Sequence, residues 1–237
     1  AAFRASKNKF ASGKRSAGLA RARSVTEIKK IARSVGETKY NTIDGTLANF
    51  DSARQVACTT IGQGDGVNQR TGNKITMHSM EMRCIMSADA ATAVNTTGYW
   101  AVILDREPNG AVPALSEIYD VVATGASTDP TLAFRNPAFI ERFKVLARED
   151  FTIGPDFGVS RNGSGIASQL CWHKYFDLSK LKDSDRIVRF NGTSATFSNV
   201  QQNALYAFWV PSNQTVFSEA TNFPKFNCVL RLGFKDM

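Results

Sequence analysis

The alternation of apolar and polar residues is clearest over residues 75–86. Its central positions read, in order, Ser79, Met80, Glu81, Met82, Arg83, Cys84, Ile85 and Met86. A period of two predicts a long β-strand with one buried face and one largely polar face. The preceding residues, 61–74, are rich in Gly and Asn, which predicts an irregular loop that delivers the chain into this strand.

Comparable short apolar patterns recur along the rest of the chain, separated by unequal polar loops. They lie at residues 40–43 with 55–60 (treated as one interrupted strand), 99–105, 143–151, 170–178, 187–190, 205–210 and 226–234. Only a short helix near residues 114–122 interrupts them. Eight strands without an internal repeat favour an all-β fold, an eight-stranded jelly-roll β-sandwich.

This fold carries two further expectations. Trp172 and Trp209 should be buried between the sheets, although Lys174 shares the strand face of Trp172. The four loops expected to gather at one end of the sandwich are residues 61–74, 106–138, 179–185 and 211–224.

The N-terminal residues differ in composition from the rest. Residues 1–22 are rich in Ala, Ser, Gly, Lys and Arg and poor in large aliphatics, which predicts a flexible arm. Ser24 and Glu27 then form a capping box, and Val25, Ile28 and Ile31 recur at helical spacing, which predicts a short helix. The predicted organisation is therefore a basic arm with a short helix at residues 1–38 and a jelly-roll shell domain at residues 39–237.

Charge is concentrated in the same region. Residues 1–39 hold eleven Lys and Arg against two Glu, while the remaining residues carry a net charge of −1. A flexible cationic chain can follow a phosphate backbone without reading bases, because binding releases counterions. The arm is therefore the predicted nucleic-acid-binding site, through Arg4, Lys7, Lys9, Lys14, Arg15, Arg21, Arg23, Lys29, Lys30 and Arg33.

A second set of cations lies on the polar sides of predicted strands. Its members are Arg83, Arg142, Lys144, Arg148, Arg231 and Lys235. They either line an interior that faces nucleic acid or protect sheet edges from aggregation.

Several classes of chemistry find no support in the sequence. His78 and His173 lack a catalytic setting, and the G-x-G patterns at residues 62–66 lack the strand–helix context of a nucleotide site. The cysteines are widely spaced, without a C-x-x-C pair, which predicts four reduced, buried residues rather than a zinc site. Acidic pairs could hold Ca²⁺, but solvated loop charges are the favoured interpretation. We expect no enzyme activity, cofactor, metal or membrane insertion.

The loop before the long strand also carries a short motif, formed by Gly64, Gln69, Arg70, Gly72, Asn73, Lys74 and Ile75. This motif, with a basic arm ahead of one jelly roll, resembles the capsid proteins of small circular Rep-encoding single-stranded DNA (CRESS-DNA) viruses. The resemblance implies a coat subunit that self-assembles into an icosahedral shell and packages single-stranded DNA through its arm. It also implies a T=1 shell of about sixty equivalent copies, found in the virion and assembled in the host nucleus, with the host cytoplasm as the alternative.

Two other functions remain open at this point. One is the coat protein of a small RNA or satellite virus, which would share both fold and arm. The other is a cellular, lectin-like jelly-roll binding module, which would have a ligand cleft and no assembly.

Overall fold

A computed structural model describes residues 37–45, 48–50, 53–88, 96–120, 130–154, 169–212 and 224–236. The strands of this part are β1 (Thr38–Asp44), β2 (Ala48–Asn49), β3 (Arg54–Ala57), β4 (Lys74–Ser87), β5 (Thr96–Asp105), β6 (Tyr119–Asp120), β7 (Phe134–Arg135), β8 (Phe143–Ile153), β9 (Gln169–Asp177), β10 (Ile187–Phe190), β11 (Val200–Gln202), β12 (Ala204–Pro211) and β13 (Lys225–Asp236). Single-turn α-helices occupy Leu115–Ile118 and Asp183–Arg186, and 3-10 turns occupy Pro130–Leu132, Pro137–Phe139, Leu178–Lys180 and Phe197–Asn199.

Eight of these strands form two antiparallel sheets that pack face to face. The larger sheet has the core order β1-β13-β4-β9, and the smaller sheet has the order β3-β12-β5-β8. Strands that follow one another along the chain change sheets at most connections, so the core is closed by crossovers rather than by tight hairpins. This is the predicted eight-stranded jelly roll, and the all-β fold is confirmed.

The predicted interrupted strand at residues 40–43 and 55–60 is wrong, because its two parts belong to different sheets. β1 pairs with β13 in the larger sheet, and β3 pairs with β12 in the smaller one. Between them the chain passes very close to β13, where Gly45 donates its N–H to the Cys228 carbonyl at 2.6 Å. A Cβ atom on Gly45 would lie 2.4 Å from Cys228 Sγ, so only glycine fits this crossing.

The segment at residues 187–190 is a strand, as predicted, but not one of the principal eight. Both β9 and β10 pair antiparallel with β4, so β10 continues β9 along the same edge in the same direction. β10 therefore does not reverse the chain, and the described start of the predicted 211–224 loop lies at the other end of the sandwich. Ser212 donates its N–H to the Thr97 carbonyl at the start of β5, whereas described residues of the 61–74 and 106–138 loops contact the 178–203 region at the opposite end.

The predicted helix at residues 114–122 is only partly present. Its helical turn ends at Ile118, and Tyr119–Asp120 pairs with Phe134–Arg135 as a small ribbon. Glu117 accepts a 2.9 Å hydrogen bond from the Ala114 N–H, which closes the first turn. Residues 121–129 lie outside the described part of the chain.

The inward faces of the two sheets form the core as the alternation predicted. On β4 and β13 the buried side chains include Met80, Met82, Cys84, Met86, Phe226, Cys228, Leu230, Leu232 and Phe234. Trp209 is fully buried against Phe226, with ring centroids 5.1 Å apart, and Trp172 packs on Phe151 at 4.9 Å. Both tryptophan predictions are confirmed.

Lys174 shares the inward face of Trp172 because it lies at the open side of the sandwich. Its Nζ atom is 2.6 Å from a Glu149 carboxylate oxygen on β8, and it lies 5.6 Å from the ring centroid of Trp100. The lysine therefore closes the gap between two edge strands and keeps its charged end paired at the rim.

β5 and β12 are buried on both faces, so apolar and polar residues do not alternate along their sequences. The described part of the long excursion between β5 and β8 packs on their outward side, and Phe197, which precedes β11, packs on Tyr206 of β12 with ring centroids 5.4 Å apart. Tyr119 from this excursion packs edge-on against Tyr99, with ring centroids 5.7 Å apart. The excursion is therefore a third layer over the smaller sheet.

Candidate nucleic-acid interface

The predicted arm site lies outside the described residues. All ten of its cations, from Arg4 to Arg33, precede Glu37, where the description begins. Nucleic-acid binding by these residues therefore stays a prediction.

The chain enters the sandwich at a firmly held point. Lys39 is buried, and its Nζ lies 2.9 Å from an Asp236 carboxylate oxygen near the end of β13. The same Lys39 Nζ donates to the Gln69 carbonyl at 3.1 Å and to Thr71 Oγ1 at 3.2 Å. Lys39 is thus a structural cation whose charge is paired within the sandwich.

The outward face of the larger sheet carries cations and exposed rings side by side. Because the strands are in register, Val229, Arg83 and His173 form one row across β13, β4 and β9. Arg231, Glu81 and Tyr175 form the next row. We call this surface, formed by the outward side chains of β1, β13, β4 and β9, the sheet face.

The guanidinium groups of the sheet face keep access to solvent. Arg83 is 65% exposed at its side chain and reaches Glu81 only at 3.8 Å. Arg231 Nε donates to Thr42 Oγ1 at 3.2 Å. An exposed ion pair such as Arg83–Glu81 contributes at most about 1 kcal/mol, so little would be lost when Arg83 meets a phosphate.

Aromatic and apolar side chains complete the sheet face. Tyr175 is 61% exposed and Tyr40 is 49% exposed. An open groove of about 420 Å³ runs between Ile85, Cys171 and Val229. Cations interleaved with exposed rings suit single-stranded nucleic acid, because phosphates meet the cations and bases stack on the rings.

The predicted cations of the smaller sheet are engaged within the protein instead. Arg142 holds the fully buried Asp105 through two 2.9 Å contacts, from Nε and Nη2, and Nη1 reaches Glu117 at 3.5 Å. Its hydrogen bonds to Asp105 raise the pKa of Arg142 further above its ordinary value. Arg148 lies over the Tyr99 ring at 4.0 Å and donates to the Thr131 carbonyl. These two arginines hold the outer layer to the sandwich.

Lys144 shares the nearly buried Asp185 with Arg106. The Asp185 carboxylate lies 3.1 Å from Lys144 Nζ and 3.2 Å from Arg106 Nη2. Burial by itself raises the pKa of Asp185, but the hydrogen bonds from Lys144 and Arg106 outweigh it, so the pKa lies below its ordinary value of 3.8. This cluster ties the excursion to the Asp183–Arg186 turn.

The depressed pKa of Asp185 predicts a pH-dependent contribution to stability. A carboxylate with a lowered folded-state pKa stabilises fully above its unfolded pKa and loses that contribution as pH falls through the folded value. Asp185→Asn should therefore reduce the free energy of unfolding by about 1–2 kcal/mol at neutral pH. The difference should shrink as the pH is lowered from about 4, measured by urea unfolding across pH.

Asp183→Asn is the matched control, because Asp183 lies on the same turn with a 62% exposed side chain. Its stability should change by less than about 0.5 kcal/mol. A constant deficit for Asp185→Asn at every pH would show that packing, not the charge of Asp185, stabilises the cluster.

The Gly/Gln/Arg motif before β4 has a structural role that its sequence did not reveal. The Arg70 side chain is fully buried, with Nε donating to the Ile61 carbonyl at 3.1 Å and Nη1 to the Gly72 carbonyl at 2.5 Å. Nη2 donates to the Gly192 carbonyl, and the guanidinium stacks 4.2 Å from the Phe190 ring centroid. Burial lowers the pKa of Arg70, and the nearby Asp236 carboxylate opposes that shift.

The neighbouring motif residues shape the same loop. Gln69 Oε1 accepts the Gly66 N–H at 3.1 Å. A Cβ atom on Gly64 would lie 2.1 Å from that oxygen, so a larger residue there would displace the Gln69 side chain from this position. The motif therefore stabilises the conformation of the loop before β4 and does not form a ligand site.

The remaining candidate chemistry stays structural. Cys58, Cys84 and Cys228 are buried as predicted, but Cys171 is exposed on the sheet face, so the prediction of four buried cysteines is wrong. Burial raises the pKa of the Cys58 thiol above its ordinary range.

Among the residues that the structure describes, no cluster of three or more His, Cys, Asp or Glu is arranged to hold a metal. In the same residues, no helix combines the length and apolarity needed to cross a membrane.

Comparison with known proteins extends over nearly the whole chain. The family model described as "Geminivirus coat protein/nuclear export factor BR1 family" matches residues 2–235. A coat protein of Maize white line mosaic Satellite virus is 28% identical over 96 residues, which cover 40% of this chain and 42% of that relative's length. The match thus spans less than half of the relative.

Solved structures of other viruses give weaker likenesses. The Desmodium yellow mottle tymovirus structure covers 84% of this chain and 86% of its own, with 9% identity and a TM-score of 0.36. Empty heads of Turnip yellow mosaic virus cover 85% and 82%, with 11% identity and a TM-score of 0.34. Because both TM-scores lie below 0.5, we draw no conclusion from them.

Proposed function

The chain belongs to the Geminivirus coat protein/nuclear export factor BR1 family, and on this premise we propose that it assembles into a closed icosahedral shell and packages single-stranded DNA through its basic N-terminal arm. As a viral coat protein it is structural and not an enzyme. The observation that carries the proposal is the family match over residues 2–235, which includes the arm as well as the sandwich.

The distribution of charge supports a division of labour between arm and sandwich. The eleven Lys and Arg of residues 1–39 outnumber two Glu, whereas the rest of the chain is nearly neutral. A neutral sandwich can pack against copies of itself without strong repulsion, while the arm neutralises packaged phosphates. The ten arm cations are the proposed DNA-binding residues, and Arg83 and Arg231 of the sheet face add secondary contacts.

Equivalent packing of identical subunits gives a closed shell of about sixty copies. Sixty copies of a 25.9 kDa chain correspond to a protein mass of about 1.6 MDa. We place the protein in the virion and, during assembly, in the host nucleus. The family description, which includes a nuclear export factor, is consistent with a nuclear stage.

A coat protein of an RNA or satellite virus is the second candidate. The 28% identity to a satellite-virus coat protein favours it. The lectin-like cellular module is wrong, because the chain is a viral coat protein. Arm-mediated phosphate binding does not distinguish DNA from RNA, so the genome type needs a direct test.

The test is assembly of the full chain with circular single-stranded DNA or with single-stranded RNA of equal length. We expect round particles by electron microscopy, with a protein mass of about 1.6 MDa plus the mass of the packaged DNA, and we expect them to protect that DNA from nuclease. Protection of RNA alone would favour the second candidate. Monomers at every pH, salt and protein concentration tested would overturn the assembly proposal.

A further inference from the structure

The segment of residues 130–142, which contains β7 and leads into β8, presents unusually exposed apolar side chains. Phe134 is 85% exposed, Leu132 75%, Ile140 48% and Phe139 37%. Phenylalanine and leucine are normally among the most buried residues, and a cluster of them on a surface marks an interaction site. We call these four side chains the apolar platform.

The backbone beneath the apolar platform is held firmly. Asn136 donates its backbone N–H to the Ile118 carbonyl at 2.9 Å and its side-chain amide to the Ser116 carbonyl at 3.0 Å. Its Oδ1 accepts the Ala138 N–H at 3.0 Å. Arg135 donates to the carbonyls of Ile140, at 3.1 Å, and Phe143.

These anchors also fix which side chains face outward. Ala133 is buried, and the Arg135 guanidinium donates a hydrogen bond to the Ile140 carbonyl of the same segment. Leu132 and Phe134 therefore point away from the sandwich, and turning them inward would break the Arg135 and Asn136 hydrogen bonds. A rigid, exposed aromatic ring loses little entropy on binding, which is typical of an interface anchor.

We propose that the apolar platform is a contact between copies of this chain in the assembled shell. The inference rests on the proposed assembly. A shell requires each subunit to bury apolar surface against identical neighbours, and the platform is a preformed patch of that kind. Leu132 also lines an adjoining open depression of about 500 Å³, together with Thr97, Phe151 and Thr152. A projecting ring beside a concave site is what a self-complementary contact needs.

The charges around the apolar platform disfavour nucleic acid as its partner. Both cations of this segment are engaged within the protein, since Arg135 donates to backbone carbonyls and Arg142 is paired with the buried Asp105. Asp150, with a side chain 72% exposed, lines the same depression as Leu132, and Glu141 is exposed directly after Ile140. Asp150 is paired with Arg148 at 3.4 Å, and the nearby arginines are already engaged within the protein. This surface therefore offers little attraction to an anionic polymer, whereas it can pack against the apolar surface of a second copy.

The experiment compares Phe134→Asp with the wild-type chain and with Val67→Asp. Val67 is a matched control, because it is 78% exposed but lies in the loop before β4, away from the platform. Phe134→Asp should keep the wild-type circular dichroism spectrum as a monomer, yet raise the protein concentration required for assembly about ten-fold or more. Val67→Asp should assemble like wild type, and Phe134→Leu should recover part of the loss.

Hydroxyl-radical footprinting of the wild-type protein gives a second readout that does not depend on a variant's folding. Oxidation of Phe134 should fall several-fold from monomer to particle and should not change when single-stranded DNA is added to monomers. Normal assembly of Phe134→Asp, or unprotected Phe134 in particles, would overturn this contact while leaving the proposed function intact. Protection by DNA alone would identify nucleic acid as the partner. Failure of the wild-type chain to assemble under any condition would contradict the proposed function itself.

Discussion

Deleting residues 1–23 should weaken binding to single-stranded DNA irrespective of base sequence and flatten its salt dependence. The deletion removes seven Lys and Arg and no acidic residue. Each phosphate neutralised on a single strand contributes about −0.7 to the log–log salt slope, so the slope should flatten by up to about 5. Fluorescence anisotropy with labelled oligonucleotides of two unrelated sequences, over a salt series, measures both effects.

The sandwich should survive this deletion, because its first strand begins at Thr38 and its anchor is Lys39. Thermal unfolding should therefore match the full chain, and the shells that the shortened chain forms should be empty or of a different size. The matched control is Arg83→Gln with Arg231→Gln in the full chain, which removes two cations from the sheet face and should flatten the slope by no more than about 1.4. If the deletion left affinity and slope unchanged while the control abolished binding, the sheet face would be the packaging surface and the arm would not.

Replacing Arg70 by alanine should destabilise the protein by about 3–5 kcal/mol, although Arg70 belongs to a loop. Its guanidinium satisfies the carbonyls of Ile61, Gly72 and Gly192, and its side chain fills the space over Phe190. Alanine would leave those carbonyls without their donors and open a cavity. Urea unfolding followed by tryptophan fluorescence measures the loss.

Two further variants test whether geometry or charge is responsible. Arg70→Lys keeps the charge but not the planar fork that reaches three carbonyls, so most of the loss should persist. Arg83→Ala removes an arginine whose side chain is 65% exposed and should change stability by less than about 0.5 kcal/mol. A loss below about 1 kcal/mol for Arg70→Ala would mean that water replaces the guanidinium in the loop.

The Gly/Gln/Arg motif before β4 indicated the class of protein but not the structural role of its arginine. Its residues pointed to the right class of protein, and the whole-chain family match agrees. Nothing in the spacing of Gln69, Arg70 and Gly72 indicated that the arginine would reach Gly192, which is 122 residues away in sequence. A basic residue in a polar loop normally lies in solvent, and only its four hydrogen-bond acceptors and the Phe190 ring make the burial of Arg70 favourable.

The cations on the strands show the same difference between what the sequence indicates and what the structure reveals. Sequence alternation placed Arg83, Arg142 and Arg231 alike on polar sides of strands. In the structure Arg83 and Arg231 face solvent, whereas Arg142 is paired with the buried Asp105 beneath an outer layer. Alternation shows which way a side chain points, but not what covers that side.

The sequence by itself determined the class of fold, the inward faces of β4 and β13 and the separation of basic charge from the sandwich. These properties follow from local chemistry, because period-two patterns and charge runs act within a few residues. Only the tertiary structure decided that residues 40–43 and 55–60 belong to opposite sheets, that β10 extends β9, and that the β5–β8 excursion covers the smaller sheet. Those outcomes depend on pairings between residues far apart in the chain, where backbone hydrogen bonds and buried ion pairs are satisfied by partners that no local pattern specifies.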